Sequence, residues 1–304
     1  MPEALYELVN GEAPEFENPV LLYHFSGFID AGHAGGGIAE HLLENLEHTE
    51  VARFDTDQLV DYRSRRPEMR LSGGMFTSYA APQLTLQAMR DDGGSPFLLL
   101  YGPEPDVRWE AFVAAVKELI EHFGVRLVAG FHGIPAPTPH TRPIGVTAHA
   151  TRPGLLPADL LIDAELEVPG SASSLLQYRL GEWGQDAVGL VARVPHYLSE
   201  AHYPQSSVSL LRSLSSATGL LLPVNDLLEA SEEAEQQVQE QVENNEQVAR
   251  VVQALESQYD AFEGGTSRGN LLAEPKTLPT ADEIGADFER FLAELDVGDD
   301  RPDE

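Results

Sequence analysis

Apolar and polar residues follow two rhythms along the first two thirds of the chain. Short apolar runs, Val20–Ser26, Val51–Phe54, Pro96–Tyr101, Val125–Phe131, Val146–Ala150 and Ala187–Val194, read as buried strands of the parallel-sheet type. Between them apolar residues recur at three- and four-residue steps. Ile38, Leu42, Leu43 and Leu46 predict a helix over Gly32–Leu46, and Phe112, Val116, Leu119, Ile120 and Phe123 one over Asp106–Phe123. Further helices are expected at Ser171–Gly181, after Pro169-Gly170, and at Pro204–Thr218, with proline in the first turn. Met75–Tyr79 and Gln83–Met89 read as a strand pair around Pro82, and Arg63–Arg70 as a basic loop. Strands alternating with helices predict an α/β sheet covered by helices on both faces.

The last third changes character. From Asn225 to Phe262 there is neither proline nor glycine, and Ala234, Val238, Val242, Asn245, Ala249, Val252, Tyr259 and Phe262 form a narrow stripe with acidic flanks. A continuous helix there would span about 38 residues, roughly 57 Å. It is expected to bend or break near Glu243-Asn244-Asn245, to end at Gly264-Gly265, and to lie partly across its own core with one end projecting toward a neighbour. A last helix is expected at Ala281–Leu295. The expected units are a core over 1–223, a helical extension over 224–297 and a disordered acidic tail over 298–304.

The charge narrows the choice of partners. Lys and Arg number 19 against 50 Asp and Glu, a formal net charge of -31 in 304 residues. Such a surface repels nucleic acid and anionic membranes, whose binding depends on basic side chains. No cysteine is present, which excludes disulfides and thiolate chemistry. The first residues lack the basic and apolar regions of a secretory signal, and no apolar run approaches the ~20 residues of a membrane span. A cytoplasmic location is the expectation.

Two loops carry the candidate chemistry. Gly27-Phe28-Ile29-Asp30-Ala31-Gly32-His33-Ala34 has the glycine spacing of a phosphate-binding loop, but His33 and Ala34 stand where lysine and a hydroxyl belong. Asp30 would repel a polyphosphate and suits a helix cap instead. This predicts a tight strand-to-helix turn and no ATP site. The second loop, Gly130 to Gly145, is stiffened by four prolines and follows a central strand, at the sheet edge where ligand crevices of open α/β sheets lie. Arg142 could grip a carboxylate or phosphate and His140 could move a proton. Ser26, Gly27, Phe28 and Asp30 with His140, Thr141 and Arg142 are therefore the candidate ligand-binding residues. His196 and His202 match no zinc spacing, and no dinucleotide fingerprint is present, so no metal and no cofactor are expected.

Four ordered segments, "GFIDAGHAGGGIAEHL", "HGIPAPTPHTRP", "VPGSASSLLQYRLGEWGQDAVGL" and "VPHYLSEAHYPQSSVSLLRSLSSATGL", together resemble the proteasome assembly chaperone two family in its bacterial branch. The resemblance implies a three-layer α/β/α fold like that of nucleoside phosphorylases, with added C-terminal helices. It implies homo-oligomers, a trimer among them, and a non-enzymatic chaperone-like role with proteasome subunits or another protein client. Eukaryotic and archaeal members of that family often end in a hydrophobic-tyrosine-any motif, where this sequence reads Arg301-Pro302-Asp303-Glu304, so docking by such a tail is not expected. The alternative is a hydrolase or phosphorylase-like enzyme acting on a nucleoside-like or anionic ligand in the edge crevice.

Overall fold

The computed structural model describes residues 4–9, 16–162 and 165–266. The expected helix Ala281–Leu295 and the tail over 298–304 lie outside the described residues. Among the described residues ten strands, β1 (Tyr6–Leu8), β2 (Val20–Ser26), β3 (His48–Phe54), β4 (Met69–Ser72), β5 (Met75–Tyr79), β6 (Thr85–Arg90), β7 (Pro96–Pro103), β8 (Leu127–Ala136), β9 (Val146–Ala150) and β10 (Ala187–Pro195), form two sheets. The α-helices among the described residues are α1 (Ala34–Asn45), α2 (Trp109–Phe123), α3 (Ala172–Glu182), α4 (Pro204–Thr218), α5 (Asn225–Glu243) and α6 (Glu246–Thr266).

The main sheet has eight strands in the order β1-β3-β6-β7-β2-β8-β10-β9. Its centre, β7-β2-β8-β10, is parallel, and the strands outside it are antiparallel. The apolar runs belong to this parallel centre because both of its faces are covered. Alternate residues of β2 divide between two cores. Val20 and Leu22 pack with Ile38 of α1 and Leu211 of α4, while Leu21 and Tyr23 pack with Phe112 of α2 and Leu176 of α3. The result is a large mixed sheet flanked by helices, consistent with α/β/α layering.

Two local readings are corrected. Met75–Tyr79 does not pair with the strand after Pro82. It pairs with Met69–Ser72, which overlaps the last two residues of the expected Arg63–Arg70 loop, while Thr85–Arg90 joins the main sheet between β3 and β7. Gly73-Gly74 permits the turn: φ of 58° and 80° at successive residues matches the two-residue hairpin turn that glycine makes accessible. The C-terminal helix breaks where expected, at Asn244-Asn245, where the Asn245 side chain accepts from Gln247 N and Val248 N and so caps α6, but it does not end at Gly264-Gly265. α6 continues through Gly264-Gly265 to Thr266; glycine is disfavoured inside a helix but not excluded from one.

Candidate functional site

The loop after β2 is organised by one carboxylate. Asp30 accepts from Gly35 N at 2.8 Å, Gly36 N at 2.8 Å and Gly133 N at 3.0 Å. It thereby satisfies the free N–H groups at the start of α1 and ties that helix to β8. The glycines are explained by closeness. A Cβ at Gly35 would lie 2.3 Å from His24 Nδ1, and one at Gly133 would lie 2.2 Å from the Ala31 carbonyl. The phosphate-loop spacing is thus a packing motif whose anion is the chain's own.

His24 lies under this loop and is 2 % exposed. Its Nδ1 is 3.1 Å from the Phe131 carbonyl, the geometry of an Nδ1–H donor, and its Nε2 stands 3.6 Å from Asp30. Burial pushes its pKa down, against the opposing pull of Asp30. His132 is pushed down to about 4, again chiefly by desolvation, although its ring is partly exposed.

The second loop forms a separate network. His140 N donates to the Tyr197 hydroxyl at 2.8 Å, and His140 Nδ1 lies 2.7 Å from the same oxygen. Arg142 makes a two-pronged contact with Asp260, Nε to Oδ1 at 2.8 Å and Nη2 to Oδ2 at 2.6 Å, and its Nη1 reaches Glu256 at 3.2 Å. Thr141 donates to Glu256 at 2.5 Å. Glu256 and Asp260 are one turn apart on α6, whose Val248, Val252 and Leu255 are buried. The Asp260 bond raises the Arg142 pKa, and Arg142 holds the Asp260 carboxyl below its ordinary value. The carboxylates that meet Arg142 are therefore on its own chain. α6 is fastened to the core at least as far as Asp260.

A third seam closes the same edge. Arg65 donates to the Ser26 carbonyl at 2.9 Å and the Glu104 carbonyl at 2.5 Å, and pairs with Asp106. Any side chain at Gly27 would meet Arg65 Nη1 at 2.6 Å, while Phe28 is exposed. Glu104 is buried and accepts from Ala172 N, the first residue of α3, at 2.7 Å; burial pushes its pKa up.

The candidate residues thus fall into three networks. Asp30 belongs to the first, His140, Thr141 and Arg142 to the second, Ser26 and Gly27 to the third. Among the described residues no hydrogen bond or ion pair joins Asp30 to His140 or Arg142. Sequence reasoning missed His24, His132, Glu104, Tyr197, Glu256 and Asp260. His24 and His132 could have been found as polar residues interrupting apolar strands. Glu256 and Asp260 carried no signal beyond their four-residue spacing. Two hollows of about 380 Å³ each lie elsewhere: one at the amino edge by Glu17, Ser95 and Arg126, the other along β4 and β5 by Met69, Arg70 and Ser78. Among the described residues, no group of three or more His, Cys, Asp or Glu side chains could hold a metal. No described helix is long and apolar enough to cross a membrane.

Comparison with known proteins gives the arrangement a context. The family model for the PAC2 family matches residues 24–242. A Mycobacterium tuberculosis protein of unknown function, Rv2714, is 42% identical at a TM-score of 0.82, over 97% of this chain and 97% of its own. A Corynebacterium glutamicum protein of unknown function is 38% identical at a TM-score of 0.82, over 88% of this chain and 100% of its own. The M. tuberculosis proteasome-assembly chaperone homologue Rv2125 is 27% identical at a TM-score of 0.71, over 77% of this chain and 99% of its own. No curated protein matches the chain.

Proposed function

The chain belongs to the PAC2 family, and from that premise we propose that it is a non-enzymatic, chaperone-like binding protein that assists assembly of proteasome subunits or of another oligomeric client. The observation that carries this reading is the kinship with a proteasome-assembly chaperone homologue over 99% of that protein's length. The carboxyl edge agrees with it. Asp30, Arg142 and Ser26 make polar contacts within the chain. We further read residues 1–223 as a nucleoside phosphorylase-like core, residues 224–297 as a helical extension, the protein as a homo-oligomer, and its place as the cytoplasm.

A pull-down of free proteasome α-subunits and half-assembled rings tests the role. Enrichment over an equally acidic control protein is expected, and its absence counts against a proteasome client.

One observation favours the enzymatic alternative: a neutral histidine, His24, faces a carboxylate at the edge where ligand crevices lie. Its ring is too deeply covered for a substrate to reach without opening α1. A thermal-shift screen of nucleosides, nucleotides and small acids decides between the readings. A flat screen is expected; a ligand whose stabilisation disappears in Arg142→Ala would support the enzyme.

A further inference from the structure

The face of the main sheet beneath α3 holds polar side chains that the chain leaves without partners. Gly189, Val191 and Arg193 of β10 lie on that face by alternation from Ala187, which shares a core with Leu176 of α3. The ladders set His149 of β9 opposite Gly189, and Thr147 of β9 and His132 of β8 opposite Val191. Arg193 N donates to the Gly145 carbonyl, so Gly145 lies beside Arg193. Two glycines let the long side chains lie flat. A Cβ at Gly189 would stand 2.2 Å from the His149 ring, and one at Gly145 would stand 2.2 Å from Arg193 Nη2. The Arg193 guanidinium thus rests on Gly145, immediately before the first residue of β9.

Arg193 is half-buried, its Nε is buried without an acceptor, and its side chain enters no hydrogen bond or ion pair among the described residues. In a chain with 50 acidic side chains an unpaired guanidinium under cover is conspicuous, because a charge withdrawn from water needs a partner. The side chains of Thr147, His149 and His132 are half-buried and likewise make no hydrogen bond among the described residues. Gln177 of α3, next to Leu176, is 8% exposed with both amide atoms unpartnered. Covered polar groups in this number call for a polar occupant. Burial pushes the pKa of His149 and of His132 down, so both rings are neutral at pH 7 and Arg193 alone supplies charge. The adjoining edge is open too. β9 is the outermost strand of the described sheet on its side. Leu161 bridges Ala148 there, and Ile162 N donates to the Ala148 carbonyl at 3.0 Å. Val146, two residues earlier, turns its N–H and C=O the same way, and no backbone bond outside the β9–β10 ladder reaches it among the described residues.

We propose that this corner binds the free C-terminus of an extended peptide segment of a client protein. The terminal carboxylate meets the Arg193 guanidinium above Gly145, the Thr147 hydroxyl and the His149 ring bond it from the same face, and the peptide main chain pairs with the outer edge of β9 at Val146. One carboxylate balances the one cation. The field of a chain carrying -31 disfavours an acidic segment, so the residues before the terminus are neutral or basic. A small acid supplies the charge but has no main chain to pair with β9, which agrees with a flat screen of small acids. This inference rests on the reading of the protein as a client-binding module and names the chemical group by which a client is held.

Fluorescence anisotropy on the full chain tests it. The probes are fluorescein-labelled hexapeptides Gly-Gly-Ala-Ala-Ala-X, with X each standard residue in turn and the C-terminus either free or amidated. Saturable binding by members of the free set is expected, with the matching amides about tenfold weaker or worse. Arg193→Gln should weaken the free peptides by about tenfold, since it removes the charge and keeps much of the side chain. Val146→Pro should do the same by removing an outward N–H, while the ladder to β10 stays intact; unchanged circular dichroism spectra confirm both folds. Acetate in millimolar excess should not compete. If no free peptide saturates, if the amides bind equally, or if a folded variant binds as the native chain does, the site is wrong. Competition by acetate overturns the peptide and leaves a bare anion site. The α-subunit pull-down separates this inference from the reading beneath it. Enrichment of α-subunits without any peptide binding keeps the client role and removes this site, and peptide binding without α-subunit enrichment does the reverse.

Discussion

The carboxyl edge of the parallel strands and the β4–β5 hairpin use their polar groups in opposite ways. At the edge, Asp30 accepts three backbone N–H bonds, Arg142 grips two carboxylates and Arg65 ties Ser26 to Glu104. On the hairpin, Arg66 and Arg70 carry no ion pair and five large apolar side chains face solvent. The edge is where an open α/β sheet conventionally presents a ligand site, yet its charges hold the fold together. The hairpin has no conventional role, yet its groups are free to meet another surface. Polarity at an expected site thus says little about function until the partners of each group are known.

The sharpest way to break this comparison is Asp30→Ala. Three N–H groups would lose their acceptor, at a cost of roughly 3–5 kcal/mol in urea unfolding. Phe76→Ser on the hairpin should change monomer stability by no more than about 0.5 kcal/mol. Similar losses in both variants would erase the distinction. Gly35→Ala should come next, at about 1–3 kcal/mol, because its methyl would press on the buried His24 ring and the Phe131 carbonyl. A neutral outcome would mean that α1 can shift away from β8 freely.

The edge should also respond to acid. His132 has a folded pKa of about 4 against an ordinary 6.5. Between those values the unfolded chain binds a proton that the folded one does not, so this group lowers stability as pH falls through that window and adds nothing above it. His132→Asn should therefore lose less stability than the native chain between about pH 7 and about pH 4.5, read from urea midpoints. Equal slopes would show that the ring is more hydrated than its surroundings imply. The smallest effect is expected from Arg142→Ala. Its ion pairs are partly exposed and screened by solvent, so global unfolding should barely change. Release of α6 should instead appear as faster proteolytic cleavage within residues 246–266, and unchanged cleavage would show that Val248, Val252 and Leu255 hold the helix unaided.

Much of the architecture was legible in the chain itself. Apolar runs such as those within Val20–Ser26 and Pro96–Tyr101 fit a strand covered on both sides, and the three- and four-residue steps of Phe112, Val116 and Leu119 fit a helix with one buried face. The absence of lysine and hydroxyl after Gly32 already argued against a phosphate site, and the helix expected from Ser171 starts there, with the Ser171 side chain accepting from Ser174 N. These signals are local, carried by residues within a turn or two of one another. Pairing is not local. That Asp30 would be met by Gly133, and Arg142 by Asp260, depended on which strands became neighbours and on α6 folding back over the edge. The hairpin shows the same limit at shorter range: Gly73-Gly74 permitted a turn, but Met75–Tyr79 took Met69–Ser72 as its partner because Thr85–Arg90 was held between β3 and β7. Local spacing determines which elements form, and only the assembled sheet determines which charges find partners within the chain and which remain available outside it.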